Sequence, residues 1–168
     1  MTKQNPIIVV DTNVWVDNYL PDRPNGKASC AFVAFAASSG IALCYPVHIL
    51  KDIFYFVQRH LKQEARKEGA LTQSSAIASR KIAWACINDV RAMAMAVAAD
   101  ESDIWTACEY QPLTDDFEDN LVIAAAERAR ADYLVTNDEQ LLRKSTVPAF
   151  TPEDALKVLQ VSRWGQRS

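Results

Sequence analysis

The chain has 168 residues, of which 49% are apolar and 23% are charged, and its formal net charge is −3 at pH 7. These values predict one soluble globular domain, residues 1–160, followed by a short tail at 161–168. The acidic balance argues against a general nucleic-acid coat, which would be basic, but it is compatible with a nuclease that carries a cluster of active-site acids.

In chain order, strands alternate with helices. The predicted elements are a strand at 6–11, helices at 13–19 and 28–38, a strand at 41–45, helices at 47–69 and 73–95, a strand or a helical continuation at 96–99, helices at 102–109 and 120–130, a strand at 133–136, a short helix from 139, a strand at 147–150 and a last helix capped by 151–154. This alternation predicts a parallel α/β sheet with right-handed crossovers.

The composition also indicates the cellular compartment in which the protein is expected. Residues 28–50 lack charged side chains over a membrane-spanning length, but the break at Ser38-Ser39-Gly40 favours a helix and a strand of a soluble core. The first residues do not resemble a signal peptide. The cysteines have neither paired nor zinc-type spacing, so we interpret them as reduced core thiols: Cys30, Cys44, Cys86 and Cys108. We therefore expect a cytoplasmic protein without a membrane segment.

The residues Ile7-Ile8-Val9-Val10-Asp11 place a carboxylate directly after four apolar β-formers. Such a run is typical of a central strand that is buried on both faces. Ligands of open α/β sheets bind just beyond the carboxyl ends of the strands. Asp11 is therefore expected at the rim of a cleft.

Three further acids can reach the same cleft. Asp138 follows the strand at 133–136, Asp119 lies in the first turn of the helix before it, and Asp52 lies one turn into the helix after the strand at 41–45. Four ionised carboxylates cannot crowd together without a counter-charge. Hard divalent cations prefer oxygen ligands and can activate water for attack on a phosphodiester. The acids therefore predict a divalent-metal site.

These acids also have structural interpretations. Asp116 and Asp138 have the spacing of helix N-caps, and Asp52 beside Lys51 fits an ordinary surface acid. Asp17 is expected to be exposed. Small polar residues at the strand ends can orient the ligating acids or form turns, namely Thr12, Asn13 and Thr136.

Basic residues cluster in the middle of the chain: Arg59, Lys62, Arg66, Lys67, Arg80 and Lys81. On helices beside the cleft, these side chains could contact a phosphate backbone. A solvated face of mixed charge is the alternative interpretation.

Several of these motifs together resemble PIN domains. They are Val10-Asp11-Thr12-Asn13, Lys51-Asp52-Ile53-Phe54-Tyr55, Asp116-Phe117-Glu118-Asp119-Asn120, Asp132-Tyr133-Leu134-Val135-Thr136-Asn137-Asp138 and Val147-Pro148-Ala149-Phe150-Thr151-Pro152. Their order covers nearly the whole chain, which makes the resemblance specific. It implies a three-layer α/β/α fold with a central, mostly parallel sheet of four to five strands.

The resemblance to PIN domains also implies a function, that of a metal-dependent endoribonuclease such as the VapC-type toxins, which pair with an antitoxin. Mg²⁺ or Mn²⁺, an RNA substrate and commonly a homodimer are implied with it. The resemblance implies an acidic quartet of Asp11, Asp52, Asp119 and Asp138, with Asn13 and Thr136 in support. Thr12 and Asp116 are further candidates for supporting residues. The second acid of the family is often Glu, and Asp52 is one methylene shorter.

Two other functions remain open from the sequence. A PIN scaffold could bind RNA or a protein partner without cutting, since Asp52 is shortened and the chain is acidic. A haloacid-dehalogenase-like phosphatase also has an Asp after its first strand and a Thr after a later one, as Asp11 and Thr136 are here. That class needs a second Asp two residues after the first, where this chain has Asn13.

Overall fold

The computed structural model describes residues 5–164, and the side chains of residues 5–162. Its strands are β1 (Ile7–Val10), β2 (Ala42–Pro46), β3 (Ala94–Val97), β4 (Tyr133–Val135) and β5 (Ala149–Phe150). All neighbouring strands are parallel, and the sheet order is β3-β2-β1-β4-β5. Its helices are α1 (Thr12–Tyr19), α2 (Gly26–Ser38), α3 (Ile49–Lys67), α4 (Gln73–Met93), α5 (Glu101–Glu109), α6 (Phe117–Arg128), α7 (Glu139–Lys144) and α8 (Pro152–Trp164).

Alternate residues of β1 explain the three layers. Ile8 and Val10 pack on one side of the sheet in a cluster with Trp15, and Val9 packs on the other side in a cluster with Ile123. All five side chains are fully buried. Because helices cover β1 on both faces, its sequence is continuously apolar rather than alternating. The predicted three-layer α/β/α class with a parallel sheet is confirmed.

Most boundaries differ from the predicted ones by one to three residues, and two of the differences change an assignment. β3 begins at Ala94, because α4 ends at Met93, and it is a strand rather than a continuation of the helix. At the other end, α8 continues to Trp164, so the first four residues of the predicted tail are helical. Residues 165–168 of that tail lie outside the described residues.

The prediction of core thiols is wrong for Cys108, which is exposed. Helix α5 packs against α6, and its buried residues are Asp103 and Ala107. Cys108 follows Ala107 by one residue, which turns its side chain by about 100° towards the outer face. The other three thiols are buried or partly buried: Cys30, Cys44 and Cys86.

The uncharged stretch 28–50 is divided among α2, β2 and the start of α3. Phe32 and Leu43 from this stretch are almost completely buried in the core of the sheet. Within residues 5–164, no helix combines the length and the apolar character that a bilayer crossing requires.

Gly26 opens α2 at a point where the chain passes close to Pro21. A Cβ atom on Gly26 would collide with the Pro21 backbone. We expect Gly26→Ala to lower the free energy of unfolding by about 2 kcal/mol, because backbone atoms have to move. Urea unfolding measures this loss, with Lys27→Ala at the exposed neighbouring position as the control. Equal unfolding midpoints for the two variants would contradict the expected collision.

Candidate active site

The strand order reverses between β1 and β4. β2 and β3 lie on one side of β1, and β4 and β5 lie on the other. Ligands of open α/β sheets bind at such a reversal, outside the carboxyl ends of the strands. Val10 pairs with Val135, so both strands end at the same edge. Asp11 directly follows β1, and Asp138 comes three residues after β4.

A cavity of about 220 Å³ lies at this edge of the sheet. The acidic residues that line it are Asp11, Glu118, Asp119 and Asp138. Three of the four predicted acids therefore share one cavity. Asp52 is not part of its wall.

Three donors hold the Asp11 carboxylate. The Thr12 backbone N–H donates to Oδ1 at 2.6 Å, and the Thr136 hydroxyl and the Asn13 amide donate to Oδ2 at 2.7 and 2.9 Å. Burial raises the pKa of Asp11 to about 6, although the hydrogen bonds from Thr136 and Thr12 act in the opposite direction. Asp11 therefore ionises close to neutral pH while its orientation is fixed.

Asn13 and Thr136 connect the ends of β1 and β4. Thr136 Oγ1 accepts hydrogen bonds from the Asp138 backbone N–H at 3.0 Å and from the Asn13 amide at 3.3 Å. Asn13 Oδ1 in turn accepts one from the Asn137 backbone N–H at 3.0 Å. These bonds fix the positions of Asp11 and Asp138 relative to each other. Thr12 contributes its N–H, and its buried hydroxyl has no partner among the described residues.

Asp119 is the acid whose pKa is raised furthest at this edge, to about 7. Desolvation is the largest cause, followed by the negative charges of Asp138, Asp116 and Asp11. Its ionised form therefore lacks a compensating positive charge. A cation placed in the cavity would supply that charge.

Asp116 and Asp138 are both helix N-caps. Asp138 Oδ1 accepts from the backbone N–H groups of Gln140 and Leu141 at 2.7 and 3.0 Å. Asp116 caps α6 by accepting from the Glu118 N–H at 2.8 Å, and it does not line the cavity. The two roles considered for Asp138 are compatible, because capping uses one carboxylate oxygen and leaves the other free.

Asp52 lies beside the cavity rather than in it. Its Oδ1 accepts from Lys51 Nζ at 2.7 Å, while its buried Oδ2 has no partner among the described residues. Asp52 lines a neighbouring groove on α3, which meets the cavity at Phe56. Desolvation and then the charge of Asp52 raise the pKa of Glu118, so Asp52 acts electrostatically on the cavity.

Sequence reasoning missed Glu118 as a cavity residue. It precedes Asp119 in the first turn of α6, and residues next to each other in a helix point about 100° apart. From the sequence, only Asp119 was assigned to the cleft. The N-terminus of α6 points at the cavity, so both side chains reach it.

Asp17 was expected to be exposed, but it is 2% exposed and paired. Its Oδ1 accepts from Arg23 Nε at 2.5 Å, and its Oδ2 accepts from the Asn137 amide at 2.9 Å. Arg23 lines the acidic cavity. Arg23 lies in the loop between α1 and α2, and Asn137 is 120 residues away from Asp17 in the sequence. No local pattern therefore indicates this pairing. Its effect is to hold an arginine at the cavity wall.

The Arg23–Asp17 pair gives a stability prediction. Arg23→Ala leaves a buried carboxylate without its cation, and we expect a loss of about 2 kcal/mol in the free energy of unfolding. Adding Asp17→Asn should restore part of this loss, which a double-mutant cycle measures. Arg143→Ala is the matched control, since the Arg143–Glu139 pair is exposed and contributes little. Equal losses for Arg23→Ala and Arg143→Ala would contradict the prediction.

The donor set of the cavity fits a hard divalent cation. Within residues 5–162, whose side chains are described, no three side chains of His, Cys, Asp or Glu form a ready-made metal cage. Mg²⁺ does not need one, because it usually binds through one or two carboxylates and keeps water and phosphate oxygens as its other ligands. Asp119 and the free oxygen of Asp138 are suited to this, and Asp11 lines the same wall.

Comparisons with known proteins were made on the sequence and on the fold. A family model described as a PIN domain matches residues 7–140. Among solved structures, a chain of VapBC2 from Rickettsia felis, bound to a DNA fragment from their promoter, is similar with a TM-score of 0.60 and 12% identity. The similarity covers 86% of this chain and 98% of that chain. A search of curated proteins gave no match.

Proposed function

This chain belongs to the PIN domain family, and on that premise we propose that it is a divalent-metal-dependent endoribonuclease. One observation carries the proposal: four carboxylates line a single cavity at the point where the strand order reverses. Such crowding of negative charge, around one buried acid (Asp11) and two half-buried ones (Asp119 and Asp138), is unfavourable unless a cation binds there. Mg²⁺ or Mn²⁺ is the expected ion, because the donors are carboxylate oxygens.

Three acids of the site have roles in the proposed hydrolysis of an RNA phosphodiester. A bound divalent ion would neutralise phosphate charge and lower the pKa of water. Asp11 and Asp138 are fixed by hydrogen bonds and would orient that ion. The carboxylate of Asp119 lines the same cavity and would accept the proton of the attacking water. Attack at phosphorus with loss of the 3′ oxygen leaves 5′-phosphate and 3′-hydroxyl ends.

Arg23 supplies the cation at the cavity wall. Its Nε is engaged by Asp17, so its two terminal nitrogens remain available for a phosphate oxygen. Arginine suits this task because its planar guanidinium can donate two parallel hydrogen bonds. Arg23 is therefore the residue expected to contact the substrate backbone at the scissile position.

We also infer that the protein is the toxin of a toxin–antitoxin pair. The similar structure from Rickettsia felis is a VapBC2 complex, which supports an antitoxin partner. A candidate surface for such a partner is the apolar groove of about 320 Å³ between α3 and α4, which is lined by Phe54, Tyr55 and Trp84. We expect a small neighbouring gene whose product suppresses cleavage when the two proteins are co-expressed. We expect a homodimer in solution, which sedimentation measures, and a cytoplasmic location.

The test of the proposed function is cleavage of a single-stranded RNA with Mn²⁺. We expect cleavage with 5′-phosphate ends, none in EDTA, and a loss of about 100-fold in Asp11→Asn. Asp22→Asn is the control, since Asp22 is exposed and does not line the cavity. Wild-type activity in Asp11→Asn would contradict the proposal that the acidic cavity is the active site.

A non-cleaving scaffold is the second candidate, because Asp52 lies outside the cavity with Lys51 bound to it. It predicts that wild-type protein binds RNA and leaves it intact with every divalent ion tested. The phosphatase has no supporting contact, since the position of its second acid holds Asn13, which donates to Asp11.

A further inference from the structure

Helix α3 carries a second concave surface next to the cavity. This surface, the α3 groove, has a volume of about 580 Å³ and is lined by side chains of α3 alone, from Asp52 to Arg66. Phe56 lines both the α3 groove and the acidic cavity, so the two surfaces are continuous.

The structure separates the six basic residues that the sequence brought together. Arg59, Lys62 and Arg66 line the α3 groove, and none of them forms an ion pair with another residue in 5–162. Lys67, by contrast, is paired with Glu64 at 2.7 Å. Arg80 and Lys81 are exposed on α4 and do not line the groove. The three groove cations therefore form an unneutralised row.

The spacing of this row fits a polynucleotide strand. Residues three and four apart share a face of a helix, so Arg59, Lys62 and Arg66 follow each other along the groove. From Phe56 to Arg66, α3 advances about 15 Å at 1.5 Å per residue. A stacked strand advances about 3.4 Å per phosphate, so about four phosphates fit this length.

Phe56 adds a stacking surface at the junction with the cavity. Its side chain is 41% exposed, and the Arg59 guanidinium lies 4.6 Å from its ring centroid. Unpaired bases stack on aromatic rings and on arginine planes, whereas bases in a duplex are not available for this. The pair therefore favours a single strand over a duplex.

We propose that the α3 groove binds the single-stranded RNA segment adjoining the scissile phosphate. Phosphates of this segment contact Arg59, Lys62 and Arg66, and one base stacks on Phe56. The inference rests on the proposed function, because it is the acidic cavity that makes this strand a substrate. In this proposal, the α3 groove is where the protein recognises the length of the RNA and the absence of base pairing.

The test measures RNA binding without cleavage. Fluorescence anisotropy of a labelled eight-nucleotide RNA is recorded in EDTA over a range of KCl concentrations, for the wild type and for Arg59→Gln/Lys62→Gln/Arg66→Gln. Losing three phosphate contacts should reduce the slope of log affinity against log salt by about 2, at about 0.7 per contact for a single strand. Arg80→Gln/Lys81→Gln/Arg91→Gln removes the same charge from α4 and should keep the wild-type slope. Phe56→Leu should weaken binding about tenfold, whereas Phe56→Tyr should not.

Equal slopes for the two triple variants, or no binding of RNA by the wild type, would overturn the proposal. Tighter binding of poly-glutamate that depends on the same three residues would also overturn it and indicate an acidic protein partner. Binding with the expected slopes but no cleavage with Mn²⁺ would support the groove and refute the nuclease. Cleavage that is equally fast in both triple variants would refute the groove alone.

Discussion

Asp119→Asn is expected to stabilise the metal-free protein while it removes RNA cleavage. The folded pKa of Asp119 is about 7, against an ordinary value of 3.8, because burial and neighbouring acids disfavour its charge. Above pH 7 the folded protein must hold this carboxylate ionised, which costs free energy. The neutral amide has nearly the same size and removes that cost.

The direction of this stability change follows from proton linkage. Between pH 4 and 7 the folded state holds the Asp119 proton more tightly than the unfolded chain does, so this group loses its stabilising contribution as the pH rises. Each pKa unit corresponds to about 1.36 kcal/mol, and water access to this half-buried group reduces the full value. We expect Asp119→Asn to gain about 2 kcal/mol at pH 8 and nothing near pH 4. Thermal unfolding in EDTA at both pH values measures the difference.

Cleavage should fall by about 1,000-fold in the same variant, because it loses both a metal-facing carboxylate and the proton acceptor. Asp115→Asn is the matched control: Asp115 is an exposed acid in the loop that leads into α6, and it does not line the cavity. It should change neither stability nor cleavage. A destabilised Asp119→Asn protein, or one with normal activity, would show that Asp119 is an ordinary helix-start acid.

Binding of Mn²⁺ is expected to strengthen steeply as the pH rises. Asp11 and Asp119, with pKa values of about 6 and about 7, are largely protonated at pH 5.5 and must release protons before a cation binds. Release of one to two protons predicts a rise in affinity of roughly 100-fold between pH 5.5 and 7.5, with little change above pH 8. Calorimetric titration in buffers of different ionisation enthalpy measures both the affinity and the protons released.

Variants show which of the two acids causes which part of the pH dependence of Mn²⁺ affinity. Asp119→Asn should bind more weakly and lose the part of the rise around pH 7, whereas Asp115→Asn should reproduce the wild-type curve. An affinity that does not change between pH 5.5 and 8 would mean that Mn²⁺ binds elsewhere, on acids that are already ionised at pH 5.5.

The parts of the fold that could be predicted are those that local patterns determine. Four consecutive apolar residues before Asp11 indicated a doubly covered strand, and β1 is that strand. The placement of β3 was uncertain, because residues 94–97 follow a long helix with no glycine or proline to mark the change. In the structure this segment is extended and pairs with β2 over Ala94–Val97.

In the candidate site too, the features set by neighbouring chain segments could be predicted, and those set by long-range packing could not. Asp11 and Asp138 follow neighbouring parallel strands, so their meeting at one edge could be predicted from the chain. The position of Asp52 could not, because which face of α3 points at the cavity depends on how that helix packs on the sheet. The burial of Asp17 depends on Arg23 and Asn137, which only the folded chain brings together. The catalytic roles of these acids stay a prediction.

The central claim is that acids from three separate segments of the chain hold one divalent ion. Anomalous diffraction from a crystal soaked in Mn²⁺ at pH 8 tests it most directly. We predict a single strong peak in the cavity, in contact with carboxylate oxygens of Asp11, Asp119 or Asp138 and absent from crystals of Asp119→Asn. A saturated crystal whose peaks all lie outside this cavity would contradict the account.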